Sequence, residues 1–266
     1  MGDVSYKPLI DDMTWSYSRI KSFEDCKYRW YLKYIKFPKT EQLELFFSSY
    51  GTFAHELIAS YYKGEKSAPE LRLEYLSNYR SRVAQPAPSK AVADSYFQSG
   101  LQYFKVIQPS ENRVVSVEDR FAASIDGIPF IGFIDRLDET PDGDYILIDN
   151  KSRTLKARSN RKKPTVMDKT LDEYLRQLYL YSVFVKERYG KYPRSLCFNC
   201  FRENSLIVEP FNEKALEEAK TWAKENIAKI ADETEFRPDV DWFKCQYLCE
   251  MREFCPYYDL NYGKAG

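Results

Sequence analysis

The chain has 266 residues, with 40 Lys and Arg against 40 Asp and Glu, one His and six Cys. A formal net charge of zero excludes a uniformly basic coat, although a local basic patch can still serve a nucleic-acid contact. With 44% apolar and 30% charged residues the chain reads as globular rather than disordered, and no apolar run approaches the roughly 20 residues that span a membrane.

Residues 1–15 lack the apolar stretch of a signal peptide, and Tyr6 stands where a myristoylation signal after Gly2 wants Ser or Thr. The expectation is a cytoplasmic protein with no membrane partner. In that reducing setting its cysteines serve as metal ligands or buried thiols rather than disulfides. Residues 15–37 mix aromatic and basic side chains at near-helical spacing, and Ser18 is placed to cap a helix from Arg19. Residues 51–63 predict a second helix, with Phe53, Leu57, Ile58 and Tyr61 on one apolar face. Residues 68–105 predict one or two more, broken around Gln85-Pro86-Ala87-Pro88.

The pattern then turns strand-like at 114–121, 129–137 and 145–149. Turns at Asp126-Gly127 and Asp142-Gly143 predict a three-stranded antiparallel meander. Residues 151–169 carry eight Lys and Arg against one Asp, a run that reads as a solvated loop or a track for phosphates. Thr170 and Glu173 have capping-box spacing at the head of a helix lined by Leu171, Tyr174, Leu175, Leu178 and Tyr181, with Gly190 as its stop. Strands at 195–201 and 206–209 follow, then a helix from Asn212 to about residue 230. The tail, 236–266, is aromatic and rich in Cys. The order predicts an α/β fold, a mixed central sheet flanked by helices.

Residues 132–152 hold the main candidate chemistry. Asp135 ends one apolar run and Asp149 the next, and the turn at 141–144 folds the two strands side by side. Alternation along a strand points Asp149 and Lys151 to one face. Two carboxylates and an amine therefore converge at the rim of a sheet. Paired carboxylates bind Mg²⁺ or Mn²⁺, which activates water for phosphodiester hydrolysis. Asp138 and Asp144 read as turn or surface residues.

The Asp135…Asp149-x-Lys151 arrangement across a hairpin resembles the core of the PD-(D/E)XK nucleases. Gly51-x-x-x-His55 resembles the metal-binding helix of their RecB-like branch, and Gln177-x-x-x-Tyr181 resembles that branch's glutamine motif. The resemblance covers roughly residues 16–255 and implies a restriction-endonuclease-like core. It implies metal ligands at His55, Asp135, Asp149 and the Asn150 carbonyl, with Glu118 as an added acid. It implies a catalytic Lys151, and Gln177 and Tyr181 as positioning groups.

Cys245-x3-Cys249-x5-Cys255 is dense ligand spacing, and Cys26 lies far upstream in an aromatic segment. Four thiolates suit a 4Fe–4S cluster or Zn²⁺. A rival set would join Cys197 and Cys200 to Cys245 and Cys249 around zinc. However, Cys197 and Cys200 stand three apart on a predicted strand, face opposite sides, and read as buried thiols. One upstream and three C-terminal cysteines, with the opening segment SRIKSFEDCKYRWYLKYI, resemble the iron–sulfur RecB-like nucleases. Those include the CRISPR-associated exonucleases and AddB-type nuclease domains. The resemblance implies that Cys26, Cys245, Cys249 and Cys255 hold a structural 4Fe–4S cluster tying the chain ends together.

The expected organisation is one nuclease domain over 1–266: a helical part at 15–110, a core at 113–232 and a Cys-rich segment at 236–266. The expected activity, by resemblance, is that of a metal-dependent DNA exonuclease that hydrolyses phosphodiester bonds and prefers single-stranded DNA, in a prokaryotic or phage setting. An integrase, helicase or annealing protein would be its partner. The alternative is a silent DNA-binding or assembly subunit. No G-x-x-x-x-G-K-[ST] motif is present, so unwinding would fall to a partner.

Overall fold

The computed structural model describes residues 6–37 and 39–262, which leaves Gly2 outside the described residues. The chain opens with α1 (Lys7–Asp11), α2 (Tyr17–Asp25) and α3 (Lys27–Tyr31), the last running into a π turn (Leu32–Lys36). Ser16 caps α2 by accepting the Arg19 N–H, so the cap lies two residues before the Ser18 predicted. Cys26 has extended backbone, which breaks α2 from α3, and its sulfur accepts the Arg29 N–H.

Three helices follow: α4 (Phe46–Tyr62), α5 (Ala68–Arg82) and α6 (Lys90–Val106). They bury Tyr50, Phe53, Tyr75 and Phe104 in one aromatic core, joined by Phe201 from the sheet side. The helix α4 starts five residues before the predicted 51. Its extra turn is built from Phe46, Ser49 and Tyr50, which face that core.

Among the described residues one sheet has the order β1 (Arg113–Ile125), β2 (Ile128–Glu139), β3 (Tyr145–Asn150), β4 (Ser195–Cys200), β5 (Ser205–Pro210). The first three strands form the expected meander. Asp126 and Gly127 both take positive φ, 49° and 86°, the conformation that matches a two-residue turn to strand twist. Strands β3 and β4 are parallel because α7 (Val166–Tyr189) carries the chain back across the sheet, and the other pairs are antiparallel. The cap of α7 is Thr165 with Asp168, not Thr170 with Glu173, whereas Gly190 does end the helix at φ 82°. Helix α8 (Glu213–Ala231) opens at Asn212 as expected. The tail forms α9 (Trp242–Tyr247), a 3-10 turn (Arg252–Phe254) and α10 (Pro256–Tyr262).

The larger core lies between the sheet and α2, α7 and α8, around Ile20, Leu137, Leu147, Leu178 and Phe198. Cys200 is buried in it, Cys197 is buried outside it beside Arg136 and Asp138, and burial pushes their thiols up to about 11 and about 12. Asp138, expected at a turn or surface, is instead 1% exposed on β2, where Ser110 donates to it and Arg136 pairs with it at 3.1 Å. No helix among the described residues is long and apolar enough to cross a membrane.

One glycine sets how closely α7 approaches the sheet. A Cβ on Gly132 of β2 would overlap the Phe121 ring and lie 2.9 Å from Tyr181 Cε1. Gly132→Ala is therefore expected to destabilise the fold by about 1–3 kcal/mol through overpacking, read as a lower chemical-denaturation midpoint with an unchanged m-value.

Candidate active site

The sheet register builds the site. Arg136 pairs with Ile148, so the next step along the β2–β3 ladder places Asp135 opposite Asp149. On the other side of β2, Val117 pairs with Arg136 and Asp119 with Ile134, which places Glu118 opposite Asp135. Glu118 takes a φ of 52°, rare for a residue with a Cβ and a local strain of the kind that collects at functional sites. Three acidic side chains thus meet on three adjacent strands. Helix α4 packs against β1 and β2 and brings in His55, whose Nδ1 lies 3.5 Å from Asp135 Oδ2.

The ligand atoms of His55, Glu118 and Asp135 lie within 4.8 Å of one another. Burial raises the Asp135 carboxyl well above its usual range, the Asp149 charge raises it further, and the Asn150 N–H at 2.7 Å partly offsets both. Burial also raises Glu118, against the pull of Lys63. Burial lowers the His55 imidazole, which favours the neutral form that can act as a ligand. Ionising Asp135 and Glu118 together is therefore disfavoured unless a cation joins them. One imidazole nitrogen with carboxylate oxygens is a donor set that suits Mg²⁺ or Mn²⁺.

Lys151 stands on the other side of the acids. Its Nζ lies 2.7 Å from Asp149 Oδ2 and donates to Gln177 Oε1 at 3.1 Å. Gln177 in turn bonds Tyr181, one turn along α7, whose hydroxyl is raised by burial. The structure thus gathers His55, Glu118, Asp135, Asp149, Lys151, Gln177 and Tyr181 in one place. Asn150 joins them through its N–H to Asp135, while its side chain accepts from Asn199 Nδ2 at 2.8 Å.

Asn199 is the supporting residue that the sequence reading missed. It is buried on β4, bonds both Asn150 and the Tyr103 hydroxyl, and its carbonyl accepts the Lys151 N–H at 2.9 Å. The signal was present: one amide inside the apolar stretch Leu196-Cys197-Phe198-Asn199-Cys200-Phe201. A cleft of about 530 Å³ opens beside the acids, lined by His55, Glu56, Ser60, Lys63 and Glu118.

Among the described residues, the cysteines expected to hold a cluster form no closed metal site. Cys26, Cys245 and Cys249 line a second cleft of about 720 Å³, and Cys255 is near enough to Cys26 and Cys245 to feel their charge. Among the described residues, no three of their sulfurs lie within 4.8 Å of one another. Burial raises the thiols of Cys245 and Cys255, and that of Cys249 to about 12. The segment is docked through an ion triad. Glu250 lies between Arg29 Nη2 at 2.7 Å and Lys33 Nζ at 2.8 Å, and these two cations outweigh burial and lower its carboxyl.

A sequence model of the PD-(D/E)XK nuclease superfamily matches residues 14–256. Among solved structures, a crystal structure described as "Putative exonuclease" from Eubacterium rectale aligns over 99% of this chain and 98% of its own. The TM-score is 0.51 and the identity 13%, a likeness of fold. The structure of the protein SSO0001 aligns over 90% of this chain and 95% of its own, with 17% identity and a TM-score of 0.29. No curated protein matches the chain at a significant level.

The crowding at Asp135 carries a sign. Its folded-state pKa lies above the unfolded value, so its ionisation costs stability as pH rises from that value through the folded one. In metal-free protein at neutral pH, Asp135→Asn is expected to raise the melting temperature. Mn²⁺ at a hundred times its Kd is expected to stabilise the wild type by about 2.7 kcal/mol and to leave Asp135→Asn nearly unchanged. Thermal melts in EDTA and in Mn²⁺ check both.

Proposed function

The chain belongs to the PD-(D/E)XK nuclease superfamily, and from that premise we propose that it is a divalent-metal-dependent deoxyribonuclease of the RecB-like iron–sulfur branch. It hydrolyses phosphodiester bonds as an exonuclease, with single-stranded DNA as its preferred substrate. The observation that carries this reading is the convergence of His55, Glu118 and Asp135 on one point, with the Asp149–Lys151 pair beside them. The exonuclease assignment draws on the fold likeness to the Eubacterium rectale protein.

His55, Asp135, Asp149 and the Asn150 carbonyl would hold the Mg²⁺ or Mn²⁺, with Glu118 as an additional carboxylate. The bound cation supplies charge neutralisation at the phosphate and a water of lowered pKa. The remaining steps belong to the chain. Asp135 and Asp149 would supply the carboxylate oxygens to the cation, and the Asn150 N–H fixes the Asp135 carboxylate. The Lys151 ammonium, fixed between Asp149 and Gln177, aligns the attacking water and offsets charge that builds on the phosphate oxygens. Gln177 holds that ammonium from the α7 side, and Tyr181 bonds Gln177. As the water oxygen bonds phosphorus the P–O3′ bond breaks; of the two water protons one ends on the 3′ hydroxyl through solvent and the other passes to solvent, and the new 5′ end keeps the phosphate.

Cys26, Cys245, Cys249 and Cys255 would carry a 4Fe–4S cluster of structural purpose. The support is the resemblance of the cysteine pattern, together with the one cleft that Cys26, Cys245 and Cys249 line. A DNA-handling partner, cytoplasmic placement and a single domain over 1–266 complete the proposal.

The test is cleavage of end-labelled single-stranded DNA by anaerobically purified protein in Mn²⁺ or EDTA. Metal-dependent shortening is expected, with Asp135→Ala inactive and Lys151→Ala slower by about 10²–10³-fold. No cleavage by intact protein on single-stranded or duplex DNA would favour the silent binding subunit. Metal analysis is expected to give about four iron atoms per chain with broad absorbance near 400 nm. One zinc and no iron would overturn the cluster.

A further inference from the structure

The segment after β3 is an ordered strap, not a free loop. It doubles back along α7, and each step forward in the strap meets a step backward on the helix. Lys151 bonds Gln177, Arg153 bonds the Tyr174 hydroxyl, Arg158 pairs with Asp172 at 2.8 Å, and Ser159 bonds Asp168. Asp168 then closes the far end. Its carboxylate accepts from the N–H and hydroxyl of Ser159, both at 2.7 Å, and from the N–H and hydroxyl of Thr165 at 2.6 and 2.7 Å. Residues 159–165 are thereby pinched into a closed tip.

The strap also sorts its cations. Arg158 is used internally, between Asp172 and Glu209 at 2.8 and 2.9 Å. Arg153 stacks on Tyr174. Lys156, Arg161, Lys162 and Lys163 are exposed and, among the described residues, have no ion pair or hydrogen bond. The stretch 151–167 contains no Asp or Glu, and the first acid after it, Asp168, is turned inward. Three adjacent cations are thus held together on a constrained turn with no anion of the protein's own, at the end of a strap that starts at Lys151. That is a surface complementary to a polyanion continuous with the candidate active site.

Resting on the nuclease reading above, we propose that the tip at 159–165 grips the nucleic-acid backbone through Arg161, Lys162 and Lys163, and that Asp168 is the residue that positions it. The step from Gln177 to Asp168 along α7 is about 13 Å at ~1.5 Å per residue. At ~3.4 Å per stacked nucleotide this places the gripped phosphates about four nucleotides from the cut.

The test measures binding of a fluorescent single-stranded oligonucleotide to the full chain in EDTA across a salt series, which separates binding from cleavage. Neutralising the tip (Arg161→Gln, Lys162→Gln, Lys163→Gln together) is expected to reduce the slope of log K against log salt by about 2, at ~0.7 per phosphate lost. Asp168→Ala removes a negative charge, yet it is expected to weaken binding about fivefold, because the tip must then be ordered on binding. An unchanged slope in the triple variant overturns the grip. Tighter or unchanged binding by Asp168→Ala, with a far-ultraviolet spectrum like that of the wild type, overturns the latch. Three consecutive uncharged phosphonate linkages centred about four nucleotides from the cut are expected to reproduce the triple variant's loss in wild-type protein. If the wild type cleaves DNA while the variant slope is unchanged, the tip proposal alone fails. If the wild type binds no nucleic acid, the nuclease reading fails and takes the tip with it.

Discussion

The structure turns on a like-charge conflict built into the β2–β3 ladder. The register that buries Leu137 and Leu147 also sets Asp135 beside Asp149, and Glu118 arrives from β1 on the other side. Hydrophobic burial fixes the register, because a one-residue slip would exchange the faces of the strand and take Leu147 out of the core it shares with Leu137. The acids are carried into contact by that choice. Their neighbours then read as partial answers to the conflict: the Asn150 N–H on Asp135, the Lys151 ammonium on Asp149, and a His55 imidazole kept neutral by burial. What remains uncompensated is a demand for a divalent cation, the same demand that hydrolysis of a phosphodiester places on a catalyst.

The parallel step from β3 to β4 supplies the rest. A parallel pair needs a long crossover, and here the crossover is α7 with the strap that precedes it. One helix therefore serves three ends. Its buried face packs Leu171, Leu175 and Leu178 on the sheet, Gln177 and Tyr181 fix Lys151, and Asp168 ties back the strap. Gly132 permits this by letting the Tyr181 and Phe121 rings rest on the β2 backbone.

The two chain ends meet away from the acids, and their contact is aromatic and ionic. Trp30 stacks on Phe236 with centroids 5.8 Å apart, and Tyr28 meets Tyr257 edge-on at 4.9 Å. Glu250, between Arg29 and Lys33, adds a partly desolvated ion triad next to Cys249. Removing one partner of such a group leaves an unpaired charge, so the triad fixes where the Cys-bearing tail sits. The four thiols are brought into one neighbourhood by these contacts before any metal is considered.

Local chemistry carried much of this fold into the sequence. The Asp126-Gly127 turn, the helix stop at Gly190, the Asn212 cap and the alternating strands of the meander each follow from short-range rules, and each stands where those rules put it. The candidate site was legible for the same reason: Asp135, Asp149 and Lys151 are joined by one hairpin, and His55 and Gln177 sit on helices with clear periodicity. Only the tertiary structure decided which of several eligible groups would act. Ser16 rather than Ser18, and Thr165 rather than Thr170, became caps because packing of α2 and α7 fixed where those helices begin. Asp138 went inside because Arg136 and Ser110, one near and one distant in the chain, met it there. Asn199 became the support of Asn150, and Asp168 the latch of a basic strap, through contacts between segments that sequence spacing does not relate. Caps, turns and strand faces depend on neighbours within a few residues, which a sequence displays. The fate of a buried polar group depends on which distant partner arrives to satisfy it, and that is settled only when the chain closes on itself.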